Sequence, residues 1–287
     1  MGELRTLVAR ELALSVDPRV ADMAVAIARE HNEASRAVLF YGSCLRQGEL
    51  EGLMLDFYLV VSNYRAAYGK AWLAIANRLI PPNVFYFEHG GLVGKYAVLS
   101  ERDFARLNGP ETASVSVWAR FAQPSRLVWS ANDEARERVI DAVTRAAPTL
   151  LAAAGRKAGE QSIDWWKRAF ALTYSAELRA EPKGRASSVV DLDPGRYARF
   201  SGPAIAELAG VKTRQPSWAF RRAVGKLLSV ARLAKASLTF AGGADYIAWK
   251  INRHADSEIR LRPWQRKHPL LAGISLLPRL LKSGAVR

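Results

Sequence analysis

The sequence predicts an α+β protein: a mixed β-sheet with flanking helices, then a helical module, then a basic amphipathic helical region at the C-terminal end. Three observations predict it. Short apolar runs rich in β-branched and aromatic residues recur early, at 38–41, 53–61, 83–87 and 94–100. Between and after them, apolar residues fall at helical spacing. Charge is also divided. Residues 1–150 hold 17 Lys+Arg against 17 Asp+Glu, and residues 151–287 hold 25 against 10, so the whole formal charge of +15 lies in the second half. That half is built to meet a polyanion.

A chain of 287 residues allows one large or two ordinary domains, and 49% hydrophobic residues supply a core. The expected divisions are 1–130 for the sheet domain, 131–215 for the helical module and 216–287 for the basic region. The single cysteine, Cys44, excludes an internal disulfide and a Cys-rich metal site and suits a reducing cytoplasm. The first fourteen residues carry acids and alternate polar with apolar, unlike a signal or transit peptide. Nowhere do 18 apolar residues run together, so no membrane span is expected.

Residues 1–35 read as helix, with Asp17-Pro18 marking a start before the amphipathic stretch 20–31. A first strand at 38–41 stops at Gly42, and a polar loop leads to a second strand at 53–61. Residues 64–79 read as helix, ended by Pro81-Pro82. Strands at 83–87 and 94–100 follow, then Ser100 as an N-cap with acids behind it. That helix closes at Gly109-Pro110. Further helices are expected at 111–121, 132–154, 165–180, 197–209 and 217–236, with a polar loop at 182–194.

The second strand is apolar except for Asp56. A carboxylate there needs a partner, because desolvating it alone is costly. A divalent cation at the mouth of the sheet is the simplest one. Gly42 lets the backbone approach a phosphate, successive amides of the turn form an anion nest, and Ser43 adds a hydroxyl. A chance Gly-Ser hairpin with one edge-strand acid is the plainer alternative. Glu88, at the end of the third strand, is the candidate second metal ligand. Lys95, inside a strand, should face an anion. Arg120 is a second cation for the same phosphates. Cys44 has no histidine near it in sequence and reads as a packing residue rather than a nucleophile.

The ordered set Tyr41-Gly42-Ser43 with Gln47, Met54-Leu55-Asp56, Val84-Phe85-Tyr86-Phe87, Lys95-Tyr96, Trp118-Ala119-Arg120-Phe121 with Pro124, and Ala171-Leu172-Thr173-Tyr174 resembles the mitochondrial-type phosphatidate cytidylyltransferases, the translocator assembly and maintenance family of the nucleotidyltransferase superfamily. The resemblance runs over roughly residues 36–255. It implies a nucleotidyltransferase-like sheet domain, a winged-helix-like second module, magnesium as cofactor, and CTP and phosphatidate as substrates. It also implies nucleotide or phosphate contacts from Gly42, Ser43, Gln47, Lys95, Tyr96 and Arg120, with Asp56 and Lys95 catalytic and Asp56 and Glu88 on metal. This chain departs from the family at four positions. Tyr58 stands where the superfamily often has a second acid, Tyr68 where the family has histidine, Cys44 where it has glycine, and Gln123 where it has lysine, with Arg126 nearby as a substitute.

The final 70 residues interleave cations with long apolar side chains. Arg221, Arg222, Lys226, Arg232 and Lys235, with Trp249 and Trp264 further on, are expected to lie against an anionic membrane rather than a nucleic acid. A basic helix packed on its own core is the alternative for 217–235. The expectation is thus a peripheral enzyme on the cytoplasmic face of a membrane, making CDP-diacylglycerol and pyrophosphate. The rivals are a nucleotidyltransferase with another acceptor, nucleic acid or a small phosphate, and a non-catalytic binding module.

Overall fold

The computed structural model describes residues 2–177, 189–211 and 215–239. Five strands form one mixed sheet in the order β3-β4-β2-β1-β5: β1 (Ser35–Tyr41), β2 (Met54–Val61), β3 (Asn83–His89), β4 (Leu92–Ser100) and β5 (Ser125–Ser130). β2 and β4 run parallel and every other pair antiparallel. The α+β class expected from the sequence is the one observed.

Alternation along the strands splits the core in two. Val38, Phe40, Leu55, Phe57, Leu59 and Val98 face α2 (Pro18–Arg29), which covers them with Val20, Met23, Ala24 and Ile27. Asp17 caps α2, its side chain accepting from the Arg19 amide, and Pro18 occupies the first turn, where its missing N–H costs nothing. Leu39, Tyr58, Val60, Ala97 and Leu99 face the other way. They meet α1 (Glu3–Leu12), α6 (Glu101–Leu107), α8 (Asp133–Thr144), α9 (Ala146–Ala154), α10 (Ser162–Ala176) and α11 (Pro194–Ala206). One apolar core therefore joins the sheet to the helices beyond residue 130. Val139, Leu150, Trp166 and Tyr197 belong to the same cluster as Leu39 and Tyr58.

Several elements differ from the sequence expectation. The loop after Gly42 begins with a short helix, α3 (Ser43–Gln47). The helix expected at 64–79 is two, α4 (Tyr64–Ala67) and α5 (Ala71–Leu79), parted at Gly69 and Lys70. The helix at 132–154 is also two. Pro148, in the first turn of α9, has no N–H to return to Thr144 and cannot continue α8. Of the helix expected at 111–121 only α7 (Trp118–Phe121) forms. The preceding Ser and Thr hydroxyls bond locally instead: the Ser114 amide donates to Thr112 Oγ1 at 3.1 Å, and Ser114 and Ser116 share a hydrogen bond of 3.2 Å. Strand β5 was not expected at all. Beyond Ser130, every element among the described residues is helical, so no strands of a winged-helix wing are seen there.

The last described helix, α12 (Trp218–Thr239), turns part of its basic character inward. Arg221 is 1% exposed and donates to the carbonyls of Thr112 and Ala113 and to Gln215 Oε1. The Trp118 and Trp218 rings lie 5.5 and 5.8 Å from its guanidinium. Arg232 donates to Pro81 O and to Ser116 Oγ, and Lys235 to the carbonyls of Ile80 and Pro82. These three were expected to face a membrane. They face the protein's own backbone instead, because loop carbonyls at 80–82 and 112–113 need donors and long cationic side chains on α12 reach them. Arg222 and Lys226 remain exposed. Trp249 and Trp264 lie outside the described residues. No helix among the described residues is long and apolar enough to cross a membrane.

Candidate functional site

One row of in-register residues crosses the sheet: Tyr86, Lys95, Asp56, Tyr41 and Ser125. Cross-strand partners share a face, so Lys95 and Asp56 project together. Their side chains meet at 3.1 Å, Lys95 Nζ to Asp56 Oδ1, and each is about a quarter exposed or less. The partner that Asp56 requires is thus, in the first place, an ammonium from the next strand.

Gly42 closes on the same carboxylate. Its φ of 98° and ψ of −163° lie in a region only glycine enters readily. A Cβ built there would stand 2.7 Å from Asp56 Oδ2. The turn after β1 can press against the acid on β2 because residue 42 has no side chain. Ser43 begins α3 directly behind it. Cys44 is buried and its thiol donates to Met54 O at 3.5 Å; burial, then Asp56, raises its pKa, so it stays a thiol and packs, as expected.

On the other flank stands Tyr41, whose ring packs 5.3 Å from Tyr58 and 6.0 Å from Phe121. Burial pushes the Tyr41 phenol well up, and the Asp56 charge adds to it. Arg120, on α7, donates to Ser116 O and pairs with Glu177 at 3.6 Å. Burial works against its charge, but Glu177, the two tyrosines and Asp56 outweigh it and the guanidinium pKa rises. Arg232 reaches the same neighbourhood, where burial lowers its pKa while Tyr58 and Glu177 oppose that. The site is therefore a graded set of charges around the end of β1: Asp56 with Lys95, and Arg120 with Glu177.

Tyr58 occupies the position two residues past Asp56, on the same face. It is buried against Phe121 and Phe104, so an aromatic fills the space where a second acid would point. Tyr96 was expected at the nucleotide. It follows Lys95 and must point to the opposite face. There it stacks on Phe85 at 5.4 Å, and its hydroxyl lies 3.2 Å from His31 Nε2, away from the Asp56 site. Tyr68 joins that same cluster, its hydroxyl donating to Asn77 Oδ1. Gln47 is exposed at the end of α3. Gln123 is buried, donating to Ala119 O and accepting from Arg46. Arg126 lies near Glu11 and Arg196.

Glu88 is exposed on the edge strand and accepts from the Tyr86 hydroxyl. It pairs in register with Val93, which pairs with Met54, so it sits two strands and two residues from Asp56. At about 4.8 Å per strand and 3.3 Å per residue, their backbones are about 12 Å apart. Asp56 pairs with Lys95 and Glu88 with the Tyr86 hydroxyl, and the two carboxylates do not meet. No group of three His, Cys, Asp or Glu suited to a metal occurs among the described residues. The donor set thus does not fit the two-magnesium arrangement. Asp56 is already paired with an ammonium, Glu177 with Arg120, and Glu88 is held on the edge strand by Tyr86.

Sequence reasoning assigned no role at the site to Glu177, nor to Tyr41 beyond its place in the resembling set. Glu177 lies just past the end of α10, more than fifty residues from the arginine it pairs with, and no spacing in the sequence announces that meeting.

The chain matches no family model and no curated protein. Among solved structures, a nucleotidyltransferase-like protein from Exiguobacterium sibiricum 255-15 aligns over 92% of this chain and 92% of its own, at 11% identity and a TM-score of 0.29. A likeness that weak carries no inference about what this chain does.

Proposed function

We propose that the chain binds a nucleoside triphosphate at the Gly42–Ser43 turn and transfers its nucleotidyl group to a phosphate-bearing acceptor, with CTP and phosphatidate as the substrates its sequence resemblance implies. The observation that supports this reading best is the contact between Gly42 and Asp56, with Lys95 in register beside them. A side-chain-free turn pressed on an acid–ammonium pair leaves amides, a hydroxyl and a cation for phosphate oxygens.

In this reading an ionised oxygen of the acceptor phosphate attacks the α-phosphorus of the nucleotide. The bond between the α-phosphorus and its bridging oxygen to the β-phosphorus breaks, and pyrophosphate leaves with that electron pair. The acceptor is already ionised at neutral pH, so no general base is required. Lys95 and Arg120 supply positive charge where it accumulates on the equatorial and leaving oxygens. Asp56 holds Lys95 in place. Magnesium enters only as the counter-ion that a nucleoside triphosphate brings. Access to an acceptor in a bilayer is supported by Phe220, Leu227 and Val230, which α12 exposes beside Arg222 and Lys226.

Pyrophosphate release tests the reading. The protein is offered each of the four NTPs with phosphatidate vesicles, alongside Asp56→Ala. Release with CTP alone, dependent on phosphatidate and lost in the variant, is the expected result. Release with another NTP or without lipid keeps the transferase and discards the substrates. A second reading, a non-catalytic nucleotide-binding module, is favoured by Tyr58 filling the second acid's position. Equilibrium binding of NTP without any release would select it.

A further inference from the structure

At the other end of the sheet, a cleft of about 720 Å³ opens between α4, α5 and α6, where β2 finishes at Val61, just before Ser62, and β4 at Ser100. Asp56 is six residues back along β2, so the cleft is about 20 Å from the first site. Four arginines line it: Arg65, Arg78, Arg102 and Arg106. Its single lining carboxylate, Asp103, is taken twice, by Arg106 at 2.8 Å and by the Tyr64 hydroxyl at 2.7 Å. Arg65, Arg78 and Arg102 have no carboxylate partner among the described residues.

Unneutralised guanidiniums of one sign repel one another, and nothing in a packing argument gathers three of them around a concavity. Elsewhere some surface arginines are paired, Arg19 with Asp17 and Glu51 and Arg138 with Glu101 and Glu134. One wall of the cleft is apolar. Ile75 is 59% exposed, and Trp72 and Leu79, 46% and 73% exposed, continue its stripe along α5 at i−3 and i+4. A planar guanidinium is the donor suited to a phosphate, which it meets with two parallel N–H bonds. The volume is that of a small-molecule pocket.

We propose that this cleft is a second anion site, binding a phosphate ester whose charged group meets Arg65, Arg78 and Arg102 and whose apolar part lies on Ile75. The site is separate from the Asp56 row and does not depend on the function assigned there. The same chemistry is offered by a free phosphate ester and by a lipid headgroup at a membrane surface, where Trp72 and Leu79 would also be covered.

The test uses the full chain carrying Lys95→Met, which weakens phosphate binding at the first site, with and without Arg65→Glu/Arg102→Glu. Both arginines are exposed, and matching thermal melts confirm that the variants fold. Inorganic pyrophosphate is titrated calorimetrically. Vesicles of phosphatidylcholine, with or without phosphatidate, are tested by co-sedimentation. Charge reversal is expected to weaken binding by at least about tenfold, since each charged hydrogen bond lost is worth about that factor. Loss in the pyrophosphate arm assigns a soluble ester, and loss confined to phosphatidate vesicles assigns a headgroup. Undiminished binding of both probes by the reversed variant overturns the proposal, and so does failure of the Lys95→Met protein to bind either probe.

Discussion

Gly42, just past the end of β1, lies so close to Asp56 on β2 that a Cβ on the glycine would stand 2.7 Å from the Asp56 Oδ2. The acid is therefore walled on one side by bare backbone and on the other by the Lys95 ammonium. What the Asp56 carboxylate can do is set by these two neighbours.

Gly42→Ala should cost more than a positive φ alone. The backbone strain is worth about 1–3 kcal/mol, and the clash with Asp56 adds to it. Gly48→Ala is the control, since Gly48 also has a positive φ but nothing within 4 Å of its would-be Cβ. Urea unfolding should show the larger midpoint shift for Gly42→Ala. Equal shifts would mean that the Asp56 contact is unimportant.

Asp56→Asn and Lys95→Met should be coupled. Both side chains are largely sheltered, so a double-mutant cycle on stability should return roughly 1 kcal/mol. Nucleotide binding should fall in both single variants. A coupling energy of zero would show that the pair is not maintained in solution.

Lys235 gives stability a pH dependence. Burial, with Arg232 adding to it, lowers its pKa from 10.5 to about 7. Between those values the unfolded chain holds the proton and the folded chain does not, so stability rises with pH through that window. Below about pH 7 the cost of the buried charge is present in full. The slope is at most about 1.4 kcal/mol per pH unit, and it is best read from pH 7 to 9.5. Above pH 10 the trend reverses, because burial raises the pKa values of Tyr58, Tyr64, Tyr68 and Tyr96 and the unfolded chain ionises first. Lys235→Met should flatten the rise. An unchanged slope in that variant would assign it to another group.

Arg221 and Arg222 are adjacent in sequence and opposite in role. Arg221→Met should destabilise by about 2–4 kcal/mol, as it strips donors from Thr112, Ala113 and Gln215. Arg222→Ala should stay within about 0.5 kcal/mol. On vesicles the order should invert, with Arg222→Ala/Lys226→Ala weakening association. If vesicle binding ignores the exposed pair, α12 is not a membrane-facing helix.

The sequence by itself determined the α+β class, four of the five strands and the capped start of α2, and it singled out Gly42, Asp56 and Lys95, which the fold brings together. These are local signals: period-2 runs, a Pro after an Asp, and an acid where burial forbids an unpaired one. Strand β5 escaped because SRLVWS is short, half polar and paired only through β1, so its strand character comes from the neighbour. Tertiary structure alone decided which charges meet. Lys95 reaches Asp56 because a parallel register aligns them. Tyr96, one residue on, is sent to the opposite face by the pleat. Glu88 is held two strands away. Arg221, Arg232 and Lys235 turn inward toward carbonyls contributed by loops more than a hundred residues distant. Composition fixes how much charge a chain carries. Where each charge goes depends on which buried backbone groups lack partners, and that is known only once the chain has folded.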